Sequence, residues 1–187
     1  MDTTTLIIIL SVILIVVAGV AAVIFFRKRK TKKLRTRFGP EYARAVQESG
    51  GRRQGEAGLQ EREKRVEGFA IRPLTPTDRE RYIASWRRVQ AQFVDDPKSS
   101  VTEADRLLGD VMSTRGYSIS AFEQRSADIS VNHPLVVENY RAAHEIAIRH
   151  ARGQASTEDL RQAMIHYRTL FDELVGESEM ARAKAAS

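Results

Sequence analysis

The sequence predicts an all-α protein with an N-terminal transmembrane helix, a basic juxtamembrane segment and a compact antiparallel bundle of about five helices. Three observations favour this fold class: a charge-free apolar run near the N-terminus, apolar residues at helical spacing, and prolines at expected helix starts. No stretch alternates apolar and polar residues as a half-buried strand does. We divide the 187 residues into a tail and anchor (1–26), a basic juxtamembrane helix with a Gly-rich linker (27–58), a helical bundle (59–176) and a disordered tail (177–187).

The first element is the apolar run LIIILSVILIVVAGVAAVIFF, residues 6–26, which contains no charged residue. At about 1.5 Å per residue, a helix of this length spans roughly 31 Å, which matches the hydrocarbon core of a bilayer. The alternative is a cleaved signal peptide, which needs a basic start, a shorter apolar core and a small-residue cleavage site beyond it. Here MDTTT has no base and the small residues 18–22 lie inside the run, so a retained anchor is favoured.

The second element is a basic flank, RKRKTKKLRTR (27–37), which we call the basic collar. Eight of its residues are cationic: Arg27, Lys28, Arg29, Lys30, Lys32, Lys33, Arg35 and Arg37. Because basic flanks remain in the cytoplasm, the N-terminus is expected outside and residues 27–187 inside. The same cations are suited to anionic lipid headgroups. Nucleic-acid binding is disfavoured because no aromatic residue interleaves the collar and residues 54–187 carry nineteen bases against twenty-one acids.

Short segments follow the collar. Pro40 is expected to begin a short helix that ends at Gly50-Gly51. Residues 49–58 contain four glycines in ten and predict a hinge or linker, and residues 59–68 predict a charged helix. Five bundle helices are then expected at 76–94, at 97–115, from a Ser120–Glu123 capping box to Ile129, at 134–151 and at 157–175.

Local patterns support each bundle helix. Thr75 and Ser156 are expected N-caps, and acid pairs such as Asp95-Asp96 lie where a helix N-terminus favours negative charge. Apolar stripes are expected to form the core, and the clearest contains Leu160, Ala163, Met164, Tyr167, Leu170, Phe171 and Leu174. Gly116, Gly153 and Gly176 are expected to end their helices.

Several further segments carry a resemblance to known proteins. They are RTRFGPEYARAV, IRPLTP, FVDDP, LLGDVMSTRGY, FEQRSADISVNHPLVVENYRAAHEIA and ASTEDLRQAMIHYRTLFDEL. In these the chain resembles a family of uncharacterised bacterial single-pass membrane proteins, which have a short N-terminal anchor and a helical cytoplasmic region. The resemblance implies a bacterial source and the same anchored layout, and it implies no activity and no site residues.

One stretch resembles a metalloprotease motif. HEIAIRH, residues 144–150, begins like H-E-x-x-H, but Ile148 occupies the position of the second histidine. His144 and His150 are six residues apart, which is about 240° around a helix and roughly 9 Å along it, so they cannot chelate one ion on a straight helix. His144 meeting His166 across two helices is the remaining geometric route to a histidine site. The sequence otherwise favours structural histidines, with His133 near a helix start.

The sequence therefore predicts no catalytic residue, no metal and no cofactor. With no cysteine in the chain, disulfides and thiol chemistry are excluded, and no phosphate-binding or nucleophile-elbow motif is present. We expect a membrane-anchored interaction or scaffolding module whose partners are the bilayer, its anionic headgroups and a protein. Two alternatives stay open: a tethered enzyme using His144, Glu145 and His166, and a nucleic-acid binder acting through residues 27–53.

Overall fold

The described residues form an all-α protein. The computed structural model describes the backbone of residues 3–118 and 120–185, and side chains from 14 to 176 except 16, 23 and 119. Within these ranges there are eight helices and no strand, which confirms the predicted all-α class. In chain order the helices are α1 (Thr3–Phe38), α2 (Pro40–Glu48), α3 (Arg52–Glu67), α4 (Pro76–Gln92), α5 (Pro97–Thr114), α6 (Phe122–Asn132), α7 (Val137–Ala151) and α8 (Thr157–Ala185).

The larger hydrophobic core lies among α4, α5, α7 and α8. Helix α5 packs between α4 and α8, and α7 packs along α8. Trp86 of α4 stacks on Phe171 of α8, with ring centroids 4.8 Å apart. Leu108, Tyr140 and Tyr167 are fully buried in the same core. The apolar stripes expected from helical spacing therefore face this core, as the hydrophobic effect requires.

A second, smaller core joins the beginning of the chain to α6. It is built from apolar side chains of four helices: Leu34, Phe38, Tyr42, Ala45, Leu59, Val66 and Val131. Leu34 and Phe38 belong to α1 and are buried. The last two turns of α1 are thus packed into the helical domain, so the domain begins well before residue 59.

The order of contacts fixes how α1, α2 and α3 run. Thr31 bonds to Glu56 and Arg37 pairs with Glu63, so residue numbers in α1 and α3 rise together and the two helices are parallel. Between α2 and α3 the order is reversed, because Glu41 pairs with Arg62 while Val46 abuts Gly55. The turn at Gly50-Gly51 therefore places the start of α3 beside the first residues of the basic collar.

Three predicted helix starts have the expected caps. The Thr75 hydroxyl accepts from the Asp78 amide at 3.1 Å, and the Asp96 carboxylate accepts from the Ser99 amide at the same distance. The Ser156 hydroxyl accepts from the amide of Asp159, also at 3.1 Å. Each bond satisfies a backbone donor that has no partner within its helix.

The predicted linker over residues 49–58 is wrong from Arg52 onward. Those residues form the first two turns of α3. Gly55 is buried against α2, and a Cβ on it would lie 2.7 Å from the Cα of Val46. This glycine therefore permits two helices to approach closely, and flexibility is not its role.

Three predicted helix boundaries also differ from the structure. The Ser120–Glu123 capping box is absent, because Ala121 is the N-cap of α6 without a side-chain bond, and α6 extends past Ile129 to Asn132. Pro134 lies in a turn over residues 134–136, and α7 begins at Val137. Gly176 does not end α8, whose backbone continues as a helix through Ala185 across most of the predicted disordered tail.

The predicted anchor, residues 6–26, lies at the start of α1. Residues 6–13 have side chains outside the described part of the protein. Among the side chains that are described, no helix has an apolar stretch long enough for a membrane span.

Candidate functional site

The cations of the basic collar lie all around α1. Leu34 and Phe38, which are buried in the second core, follow Arg27 and Lys30 on the side of α1 that faces α3. Near the end of the helix Arg37 pairs with Glu63 at 2.9 Å, and the Arg35 guanidinium lies 5.1 Å from the centre of the Tyr42 ring. These contacts fix the collar to the domain, whereas its first residues face solvent.

A cavity of about 470 Å³ lies between the start of the collar and the start of α3. Two cations from each helix line it: Arg27, Lys30, Arg52 and Arg53. Among the described residues none of these four side chains has an ion pair. The one acid in the lining, Glu56, accepts hydrogen bonds from Thr31 and Tyr42, each at 2.8 Å. The cavity therefore has a net charge of +3, with Glu56 as the one acid against four cations.

A second cavity, of about 480 Å³, continues from the first around α1. Arg27 and Arg52 line both cavities, and Ile24 brings an apolar side chain from the end of the apolar run. The other lining cations are Lys28, Lys32 and Arg35. Three collar cations line neither cavity: Arg29, Lys33 and Arg37, which pairs with Glu63. The collar thus has a concave basic surface on the side of α1 that faces α3. Its remaining exposed surface lines neither of these cavities.

A buried ionic cluster ties the collar region to the main core. Glu41 of α2 is fully buried and accepts two hydrogen bonds from Arg141 of α7, at 2.5 and 2.8 Å. Arg62 of α3 donates a third, at 2.7 Å. Burial alone would raise the pKa of Glu41, but the hydrogen bonds and charges of Arg141 and Arg62 outweigh it and hold that pKa below its ordinary value.

The histidines of the possible enzyme site have different surroundings. His144 stacks on the Phe122 ring with centroids 3.5 Å apart, and its Nδ1 has no hydrogen-bond partner among the side chains that the structure describes. Burial lowers the pKa of His144, and the charge of Asp105 offsets this only in part. His166 bonds instead to Asn139 at 2.8 Å. Neither histidine lines the two cavities beside α1 or a groove between α4 and α5.

Two tyrosine hydroxyls in the main core, those of Tyr140 and Tyr167, favour the protonated form. Tyr167 donates to Asp105 at 3.2 Å, while the Tyr140 hydroxyl has no partner among the described residues. Burial and the nearby charge of Asp105 raise the pKa of both tyrosines. A raised pKa disfavours the phenolate, so these side chains are poor candidates for bases or nucleophiles at neutral pH.

A third cavity, of about 760 Å³, is a groove between α4 and α5. Its polar lining groups are largely paired with one another. Arg106 bonds to Glu103 and to Asp110, and Arg88 bonds to Ser85. These are exposed pairs on helix surfaces, which are expected to be worth little energetically. The groove therefore carries less unbalanced charge than the cavity between α1 and α3.

Metal coordination finds no support in the described side chains, where no three His, Asp or Glu residues converge as a ligand set. Comparisons of the chain with protein-family models, with curated proteins and with solved structures find no match. The resemblance to a family of bacterial membrane proteins stays a prediction.

Sequence reasoning predicted the basic collar and missed the groups that meet it. Arg52 and Arg53 were assigned to a linker, although they lie on a helix beside Arg27. The signal that could have identified them is the concentration of eleven Lys or Arg within residues 27–53. Glu41 and Arg141 are 100 residues apart, and no local pattern connects them.

Proposed function

We propose that this chain is a single-pass protein of the bacterial inner membrane that holds a helical domain in the cytoplasm as a protein-interaction or scaffolding module. The observation that carries the proposal is an exposed apolar surface on α1. Seven large apolar side chains between positions 14 and 26 are 49–71% exposed: Leu14, Ile15, Val17, Val20, Ile24, Phe25 and Phe26. Soluble proteins rarely expose such a contiguous patch, and a bilayer would cover it.

The connection between α1 and the domain gives further support. Helix α1 passes without a break from the apolar run into the basic collar, and its final turns are packed in the second core. An anchor attached in this way would present the domain at a set angle to the bilayer. A scaffold benefits from this arrangement because it keeps a binding surface oriented toward its partner.

An interaction module is favoured over a tethered enzyme by the surroundings of the polar groups. His144 and His166 contact different partners, and the buried carboxylate Glu41 is enclosed by two arginines. A catalytic site would need convergent polar groups beside a cavity. His144, His166 and Glu41 do not form such a site among the described residues.

The proposal is tested by fractionating cells that express the full chain, followed by carbonate extraction and photo-crosslinking on the native membranes. We expect the chain to remain in the carbonate-resistant pellet and to crosslink reproducibly to one protein. Recovery of the full-length chain in the soluble fraction would contradict the anchor. A membrane-bound chain that yields no specific crosslinked protein from any surface position would contradict the scaffolding role.

A further inference from the structure

We infer that the cavity between α1 and α3 binds the phosphate of an anionic lipid headgroup, with Arg27, Lys30, Arg52 and Arg53 as its ligands. The inference rests on the proposed membrane anchor and adds a defined site to it. Its starting point is that four cations from two helices line one cavity without an ion pair among the described residues. Cations held together in this way repel one another, and a bound anion would remove that repulsion.

The chemistry of the lining matches a phosphate group. Three of the four cations are arginines, whose planar guanidinium groups bind phosphate oxygens in bidentate fashion. The cavity volume, about 470 Å³, lies within the range of small-ligand sites. Glu56 is the one opposing charge, and its hydrogen bonds to Thr31 and Tyr42 hold it on the wall of the cavity.

The start of α3 lies beside the same cavity. Its N-cap, Gly51, offers no side-chain cap, and its first turn contains no acid. Arg52 and Arg53 occupy the first positions, where positive side chains are unfavourable beside the helix dipole. The amides of the first turn have no acceptor within the helix and are suited to an anion. A bound phosphate would satisfy these amides and both arginines together.

The position of the cavity favours a lipid over a free phosphate compound. Arg27 is the first residue after the apolar run, and the adjoining cavity reaches Ile24 within that run. If residues 6–26 cross the bilayer, Arg27 and Arg52 lie at the depth of the headgroups. A lipid can then place its phosphate between α1 and α3 while its acyl chains lie along the exposed Val20 and Ile24, which precede Arg27 on the same side of α1.

The test uses two matched variants of the full chain. The site variant is R52Q/R53Q, which removes two cations from the cavity wall. The control is R29Q/K33Q, which removes two cations from collar positions that line neither cavity. Both variants change the net charge equally, so a diffuse electrostatic attraction would be weakened to a similar extent in both.

Each chain is reconstituted in phosphatidylcholine vesicles containing phosphatidylglycerol at about one part in ten, where electrostatic attraction can be measured against a neutral background. The chains are then extracted into a neutral detergent, and retained phosphatidylglycerol is quantified by mass spectrometry. We expect the parent chain to retain this lipid selectively. The site variant should lower retention by about ten-fold or more, and the control by less than about two-fold, since headgroup attraction depends on placement at the site.

Several results would overturn the inference. Equal loss in both variants would indicate a diffuse collar, and no loss in either would leave the cavity without a role. Displacement of the lipid by inorganic phosphate would assign the cavity to a free phosphate compound, and displacement by duplex DNA would assign it to nucleic acid. A membrane-bound chain that retains no phosphatidylglycerol contradicts this inference alone, whereas a soluble chain contradicts the proposed function as well.

Discussion

Glu41 and Arg141, which are 100 residues apart in the sequence, form a buried bidentate ion pair between two helices. Glu41 belongs to α2, which packs with the basic collar, and Arg141 belongs to α7, which lines the main core. Arg62 completes the cluster from α3. The pair therefore connects the collar region to the rest of the domain, and several measurable properties depend on it.

Replacement of Glu41 by alanine should destabilise the domain strongly, because it leaves Arg141 buried without its partner. We expect a loss of about 3–5 kcal/mol in the free energy of unfolding. Unfolding can be followed in neutral detergent micelles by the fluorescence of Trp86, the only tryptophan, which is buried in the main core. The control is Glu48→Ala, which removes an exposed pair with Arg44 on the same helix and should cost less than about 1 kcal/mol. An equal loss of unfolding free energy in Glu41→Ala and Glu48→Ala would contradict the stabilising role of the buried pair.

Acid should weaken the same cluster. The pKa of Glu41 is lowered from 4.5 in the folded state, so its contribution is complete above that pH and is lost as the pH falls through the lowered value. The difference in unfolding free energy between the parent chain and Glu41→Gln should therefore be largest at neutral pH and shrink below pH 4.5. A difference that stays constant across this range would show that the charge of Glu41 is not what stabilises the cluster.

Two glycines of α3 should respond to alanine in opposite directions. A Cβ at position 55 would lie 2.7 Å from the Cα of Val46, so Gly55→Ala must separate α2 from α3 and should cost about 1–3 kcal/mol. Gly58 has nothing within 4 Å of such a Cβ, so Gly58→Ala should stabilise the helix by about 0.5–1 kcal/mol. Thermal melts by circular dichroism measure both. If neither Gly55→Ala nor Gly58→Ala changed the melting temperature, this segment would be a flexible linker.

Sequence reasoning identified α4 to α8 as helices but misplaced boundaries of α6, α7 and α8, and it failed at residues 52–58, where glycine was misread. Helical periodicity and capping are local properties, so Thr75 and the stripe containing Tyr167 and Phe171 could be recognised without knowledge of the fold. A glycine used for flexibility and one used for close helix packing look alike in a sequence. Only the neighbour, Val46, distinguishes the two roles of Gly55.

The candidate site shows the same limit. The collar was predictable because its charges are consecutive and follow an apolar run. The basic cavity was not, since it depends on the chain reversing at Gly39 and again at Gly50-Gly51 so that Arg52 returns to Arg27. Gly39 and Gly50 have positive φ angles, of 50° and 73°, which allow those reversals. The partner of a buried charge such as Glu41 is likewise set by tertiary packing.

His144 should be replaceable, in contrast to a catalytic histidine. His144→Phe keeps the stacking on Phe122 and removes the unpaired Nδ1, so the melting temperature should stay the same or rise. Because burial lowers the pKa of His144 from 6.5, the parent chain should lose some stability as the pH falls below that value, and the variant should lose less. His166→Phe breaks the bond to Asn139 and should lower the melting temperature. A larger loss for His144→Phe than for His166→Phe would contradict the structural role.

Thiol labelling of intact spheroplasts tests whether the chain is anchored in the membrane with its helical domain in the cytoplasm. The chain has no cysteine, so Thr4→Cys and Lys98→Cys each provide one unambiguous reporter, before the apolar run and on the exposed surface of α5 respectively. With a membrane-impermeant maleimide, we expect Thr4→Cys to be labelled in intact spheroplasts and Lys98→Cys to be labelled only after lysis. Labelling of Lys98→Cys in intact spheroplasts, or protection of both positions, would contradict an anchored chain whose helical domain faces the cytoplasm.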